Sequence, residues 1–478
     1  MIHRKASCLA LALSLAGLPA ASPAQPATAS ASASPVTPAF ERRAAEAAVW
    51  GMPLASFDAM RDAYFRDAGA QYNDILYWSR PSDWKNQTTT ANSTSHYVYA
   101  NINLRGGPVV FAMPPSGKLS VYGNLQDAWQ IPVEDFGLAG IDEGKGGAFL
   151  LTPPGYAGPV PQGMRELAMA TYNGYFLIRL TPVSSDPREA ATANALARQI
   201  RLYPLSAAAA PPPQRYIDMS DKLFDGIARM DDSFFDRVAK MLSEEPPAPR
   251  DMVMRGMLRT IGIEAGRAFA PSPEQRAALA KAAAQIRGEL MVDGQVSRTA
   301  WWPGEQWSTS ADLLPLAKGG FTFELGDALR IDERAWFYFK AYASPKRLGA
   351  ATFYVTQAKD PADAWLAGDR DYGLHIPAKV PAGQFWSVDV YDLETSGFLR
   401  DVPVVGIDSN EPGLRVNKDG SVDIRFSAKA SPRGKDNRIS LVPGKRWFAM
   451  FRFYGPKPAL FDKSWVLPSI RQLPSQSE

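Results

Sequence analysis

Cysteine and histidine are almost missing from this chain of 478 residues, which has one cysteine, Cys8, and three histidines, His3, His96 and His375. Without cysteine after residue 8 there can be no disulfide framework and no thiolate metal site. His96 and His375 are too few for a histidine-rich zinc centre, so neither a metal nor a cofactor is expected. Common catalytic motifs are missing too: H-E-x-x-H, G-x-S-x-G, G-x-x-x-x-G-K-[ST] and C-x-x-C do not occur. Gly144-Lys145-Gly146-Gly147 places its lysine ahead of the glycines that would cradle a phosphate. Ser82-Asp83-Trp84-Lys85 matches S-x-x-K, but the companion K-T-G and S-D-N elements are absent. Charge of one sign is also lacking, with 52 basic against 49 acidic residues. That balance excludes the footprint of a nucleic-acid binder and a polybasic membrane anchor.

No long hydrophobic run is present either. Residues 9–18 are apolar but too few to span a bilayer. With His3, Arg4 and Lys5 before them and Ser22-Pro23-Ala24 after them, they read as a signal peptide over residues 1–24. Cys8 would leave with it, and no membrane anchor would remain after cleavage. A periplasmic or secreted protein is therefore expected. In such an oxidising place, a chain that is 46% apolar and 11% aromatic can rely on its core instead of disulfides.

Residues 25–39 are mostly Ala, Ser, Pro and Thr without charge, a flexible leader. Helical spacing continues the chain over residues 40–65, where Pro53 splits the pattern into two helices. Strand-like runs over 95–103, 107–113, 118–125, 148–152 and 174–180 are separated by turn signals, which favours an antiparallel sandwich. The predicted N-terminal domain is thus 40–185. Residues 186–300 read as a helical connector of four helices. Asp186-Pro187-Arg188-Glu189 and Ser272-Pro273-Glu274-Gln275 are helix starts, and Leu223, Ile227, Met230, Phe234, Val238 and Met241 recur at helical spacing over 221–242. From residue 301 to 478 strands return, at 353–358, 373–376, 384–391, 421–427 and 447–454, and predict a second sandwich. Residues 329–343 fit either a helix or a strand. The fold class is α+β, mainly β with a helical connector.

The chemistry-bearing residues are few. His96 lies on a predicted strand after a run of donors and acceptors from Lys85 to Thr94, and could act as a general base with Asp127. The alternative is a histidine satisfied at a sheet face. Asp360, Asp363, Asp369 and Asp371 crowd one loop, and the spacing of the last two could offer oxygens to calcium, although the EF-hand glycine and glutamate are missing. On the last long strand Arg452 shares a face with Phe448, Met450 and Tyr454, so it forms an ion pair at the sandwich edge or anchors an anionic ligand. In residues 385–392, Trp386, Val388 and Val390 turn inward, and Asp389 with Tyr391 turns the other way. A groove lined by Trp84, Trp301, Trp302 and Trp307, with Asn92, Trp386, Tyr391 and Arg452 nearby, would suit a small apolar or aromatic ligand.

The same residues carry a family resemblance. Asp83-Trp84-Lys85-Asn86-Gln87-Thr88, Asn92-Ser93-Thr94 and Gly107-Pro108-Val109-Val110 resemble the domain of unknown function 1254. Residues 385–392 and Phe451-Arg452-Phe453-Tyr454-Gly455-Pro456 resemble its companion, the domain of unknown function 1214. Ile261-Gly262-Ile263-Glu264-Ala265-Gly266 and Lys463-Ser464-Trp465 fit the connector and tail of that pair. The resemblance implies an exported bacterial protein with two jelly-roll-like antiparallel β-sandwich domains joined by helices, and no catalytic signature. Three functions stay open: a binder of a small ligand, a metal-independent hydrolase or isomerase using His96, and a capsid-like homo-oligomer.

Overall fold

Two six-stranded sheets, each backed by a four-stranded one, organise the fold in the computed structural model, which describes residues 35–182, 186–296, 299–309, 318–347, 352–429 and 436–474. The proposed signal peptide lies outside the described residues. Six strands form the centres of the two large sheets: β1 (His96–Asn103), β2 (Ser120–Asp127), β3 (Asn173–Thr181), β4 (Thr352–Gln357), β5 (Trp386–Asp392) and β6 (Trp447–Tyr454).

In the N-terminal half β3 pairs antiparallel with both β1 and β2, and this six-stranded sheet faces the strands Arg201–Pro204, Val109–Met113, Gly147–Thr152 and Met164–Ala168. Alternation along β1 and β3 sends Val98, Ala100, Phe176 and Ile178 into the space between the sheets. There Phe111 meets Phe136 edge-on at 5.1 Å and Phe176 at 4.9 Å. The C-terminal half repeats the plan, β6 being flanked by β4 and β5. Trp447 bridges its two sheets, stacking on Phe426 at 5.1 Å and meeting Tyr372 at 5.5 Å.

Most pairings are antiparallel, as expected, but edges depart from the rule. Ile75–Tyr77 with Tyr216–Asp218, Gly147–Thr152 with Met164–Ala168, and Val422–Ser427 with Arg438–Ser440 are parallel. Each partner returns over a long connection rather than a tight turn, which frees it to dock in either direction.

Helices cover part of the other face of the N-terminal six-stranded sheet. α1 (Pro38–Trp50) and α2 (Met52–Ala68) break at Gly51-Met52-Pro53 as the proline predicts. α3 (Pro187–Ala197) starts with Asp186 accepting from the Arg188 N–H, and α4 (Ser233–Glu244), α5 (Met252–Arg259) and α6 (Pro273–Val296) complete the connector. At the start of α6, the Ser272 N–H donates to Gln275 while the Gln275 N–H donates back to Ser272, a closed capping box. The ambiguous segment 329–343 resolves as α7 (Ile331–Lys340), and a short α8 (Pro458–Phe461) comes after β6. Tyr64 against Tyr99 at 4.5 Å and Phe57 against Tyr175 at 5.8 Å weld the helices to the sheet.

Two connector expectations are corrected. The periodicity from residue 221 does not make a helix until Ser233, because Phe224–Asp225 pairs with Asn86–Gln87 and leaves Leu223 exposed. At Gly226 a Cβ would come within 2.6 Å of Met60 Sδ, so the close approach of α2 there favours a residue without a side chain. Residues 201–204 and 216–218, read as part of a helical stretch, are strands of the N-terminal sheets. Sheet edges recruit them, a tertiary choice that local propensity does not report.

A polar interface between the two six-stranded sheets

Side chains on the outer faces of the two large sheets meet one another. On the N-terminal sheet, Tyr97, Arg179 and Tyr122 form one row across β1, β3 and β2. The Arg179 guanidinium lies 5.9 Å from each tyrosine ring centre. On the C-terminal sheet Tyr354 stands beside Arg452, with Asp389 on the diagonal of the adjacent strand. The gap is bridged by Arg179, which donates from Nη1 to the Tyr354 hydroxyl at 3.2 Å.

The deep end of this interface is closed. Arg452, 2% exposed, pairs with fully buried Asp389 and donates to the Tyr391 hydroxyl at 2.6 Å and the Thr90 and Ala91 carbonyls at 3.1 and 3.3 Å. Ser93 donates to the same carboxylate, and Tyr391 donates onward to the Ala91 carbonyl. Asn92 gives an N–H to the Tyr454 hydroxyl at 2.6 Å and accepts from Thr94. Thr90 holds φ at 45°, a conformation costing about 1–3 kcal/mol for a β-branched residue. Its N–H donates to Ser396 at 2.7 Å and its carbonyl receives Arg452, which together hold the loop in place.

Toward solvent the interface opens. Arg179, Tyr122, Tyr354 and Thr352 are only half-buried, and Thr352 donates to the Tyr354 oxygen at 3.0 Å. Among the described residues no carboxylate pairs with Arg179, whereas burial drives the Asp389 carboxyl up against the pull of Arg452 and Ser93. Asp389 thus serves Arg452, and among the described residues no carboxylate serves Arg179.

The structure brings Asn92, Tyr391 and Arg452 together and separates the rest of the expected set. The tryptophan groove does not form. Trp302 and Trp307 are fully buried in the C-terminal core, and the indole N–H groups of Trp301, Trp302 and Trp307 donate to the carbonyls of Leu460, Trp465 and Pro468. Trp386 stacks on Phe451 at 5.5 Å on the inner face of the sheet, and Trp84 packs against that same core. Burying apolar rings won over lining a wet groove with them. Arg452 is not at a sandwich edge, since β6 runs between β4 and β5.

His96 and Asp127 are not partners. Both are buried, but His96 lies in the row of Leu180 and Val121 while Asp127 sits opposite Gly174, six residues further along β2. At about 3.3 Å per residue the separation is roughly 20 Å. His96 Nδ1 lies 3.0 Å from the Trp78 carbonyl, and burial lowers its pKa. The crowded acids are each engaged locally. Asp360 caps its own turn, Asp363 pairs with Lys359, Asp369 receives the Gly444 N–H and Asp371 pairs with Arg425. Among the described residues no group of three His, Cys, Asp or Glu is placed to hold a metal ion.

Arg179 and Tyr354 were missed by sequence reasoning. The signal was present as an arginine inside the apolar run Tyr175-Phe176-Leu177-Ile178-Arg179-Leu180, but its partner is 175 residues away. A cavity of about 230 Å³ beyond the 88–91 loop was also missed, lined by Met52, Thr89, Ile227, Met230, Tyr338 and Phe339. Rim charges there pair with each other, as Arg400 does with Asp225 at 2.6 Å.

Two family models match the chain: Protein of unknown function (DUF1254) over residues 72–204 and Protein of unknown function (DUF1214) over residues 351–458. β1, β2 and β3 fall in the first, and β4, β5 and β6 in the second. The crystal structure of the VPA0106 protein from Vibrio parahaemolyticus is similar in fold, with 20% identity, a TM-score of 0.53, and coverage of 91% of this chain and all of that one. A putative uncharacterised protein from Burkholderia cenocepacia matches more weakly, at 14% identity and a TM-score of 0.38 over 91% of this chain and 94% of its own. No curated protein matches.

Proposed function

Since the chain belongs to the family that joins DUF1254 to DUF1214, a pairing that names no activity, we propose from the site itself that it binds a small, largely aromatic weak acid between its two six-stranded sheets. The observation that carries this reading is Arg179, a guanidinium held between tyrosine rings with no carboxylate partner among the described residues. A bound carboxylate or phenolate would pair with it, and the rings of Tyr97, Tyr122 and Tyr354 would take the apolar body. The buried pair Arg452–Asp389 is the fixed floor beneath it. Thermal unfolding with benzoate, and with benzamide as its neutral counterpart, tests the reading. Ligand at one hundred times its Kd should stabilise by about 2.7 kcal/mol, benzoate should act and benzamide should not, and Arg179→Gln should abolish the effect. No rise with any aromatic acid rejects the proposal.

Two finer points accompany it. Each half, a six-stranded sheet over a four-stranded one, is jelly-roll-like in our reading, supported by the mostly antiparallel pairing. Export to the periplasm or medium is supported by the composition of residues 1–24. Recovery of full-length chain from the cytoplasm alone would reject it.

A further inference from the structure

We infer that Tyr354 is the proton acceptor of this site: a phenolate beside Arg179 in the ligand-free protein, it takes up one proton when the anion of a weak acid docks on Arg179 in its place. The inference rests on the ligand reading above and adds the protonation chemistry. In the exchange the ligand arrives already ionised, and an O–H or N–H bond of a buffer acid breaks with its electron pair staying on that donor. A new O–H bond forms on the Tyr354 phenolate oxygen, and nothing is oxidised or reduced.

Hydrogen-bond geometry is the main argument. The Tyr354 oxygen receives two donated hydrogen bonds, from Arg179 at 3.2 Å and Thr352 at 3.0 Å, and among the described residues no acceptor is placed for its own proton. A phenol that only accepts is matched to its ionised form. The Arg452 guanidinium lies 5.4 Å from the ring centre on the neighbouring strand, adding a second positive charge. Other phenols at the interface are committed differently, Tyr391 donating to the Ala91 carbonyl and Tyr454 engaged by Asn92 and Thr94. The facing charged and titratable groups are Arg179, Tyr97 and Tyr122 from the N-terminal sheet and Arg452, Tyr454, Asp389 and Tyr391 from the C-terminal one. In that setting burial raises the Tyr354 phenol, but Arg179 and Arg452 outweigh it and hold the group below the ordinary tyrosine range. Burial pushes Tyr97, Tyr122, Tyr391 and Tyr454 the other way. Tyr354 is half-buried as a residue.

Near-ultraviolet titration of the ligand-free full-length chain tests this directly through the tyrosinate band. One tyrosine equivalent should ionise below the ordinary value of about 10. The step should vanish in Tyr354→Phe, move up in Arg179→Gln, and move up by less in Thr352→Val, which changes no charge. A wild-type chain without such a step, or the same step in Tyr354→Phe, overturns the inference. Calorimetry of benzoate above the step, in two buffers of different ionisation heat, should show uptake of about one proton per ligand that Tyr354→Phe loses; binding without uptake overturns it as well. If no aromatic acid binds while the step persists, the ligand reading fails and the tyrosinate stands.

Discussion

Arg61 and Arg179 are both arginines enclosed by aromatic and ionisable neighbours, yet their surroundings are opposite in kind. Arg61 on α2, 2% exposed, pairs with buried Asp58 at 2.5 Å and with Glu244 at 2.6 Å, while Arg237 and Lys240 on α4 approach the same Asp58 at 2.8 and 2.9 Å. Burial raises the Asp58 carboxyl, but these three cations bring it below its ordinary value, so the cluster is charged and saturated. It clamps two helices. Arg179 has phenols where Arg61 has carboxylates, and it sits at the half-open end of a sheet interface. A guanidinium saturated by carboxylates has no donor left for another anion, whereas one facing phenols can exchange a phenol oxygen for a bound anion.

The contrast gives an order of effects. Asp58→Ala should be the most damaging change, costing about 3–5 kcal/mol because it strands buried cations, as measured by urea unfolding. Asp127→Asn should act in the opposite direction. Burial raises that carboxyl to about 6 from its ordinary 3.8, so its contribution is fully present below the ordinary value and lost as pH rises through 6. At neutral pH the asparagine chain should be more stable by about 2–3 kcal/mol, with the gain gone near pH 4; a loss of stability at neutral pH would give Asp127 a charged role. Arg179→Gln should cost about 1 kcal/mol or less, the scale of its ring contacts, while removing ligand stabilisation. If it destabilises as much as Asp58→Ala, the distinction between clamp and anchor collapses. His96→Gln should have the smallest effect. Burial depresses the His96 pKa, so its contribution is present above the ordinary histidine value and lost as pH falls; the variant should flatten stability against pH on the acid side and leave benzoate binding unchanged.

Legibility followed the range of the forces involved. Pro53, the Asp186 start and the Ser272 box act within a few residues, and the helices begin where those residues place them. Alternation in residues 385–392 correctly separated Trp386, Val388 and Val390 from Asp389 and Tyr391. It could not show that the second face is buried too, because that requires another sheet 175 or more residues away in the chain. The tryptophans misled for a related reason: their N–H groups found backbone carbonyls in the tail, at Leu460, Trp465 and Pro468, so they could be buried without cost to a polar group.

The sequence by itself determined the α+β class, the family, the scarcity of cysteine and histidine, and the presence of Asn92, Tyr391 and Arg452 as polar residues among apolar ones. Only the tertiary structure decided which of them meet, that His96 and Asp127 do not, and that Arg179 and Tyr354 complete the group. Periodicity reports which face of a strand a residue occupies, but the partner of that face depends on how two sheets dock, and docking is set by contacts between residues far apart in the chain.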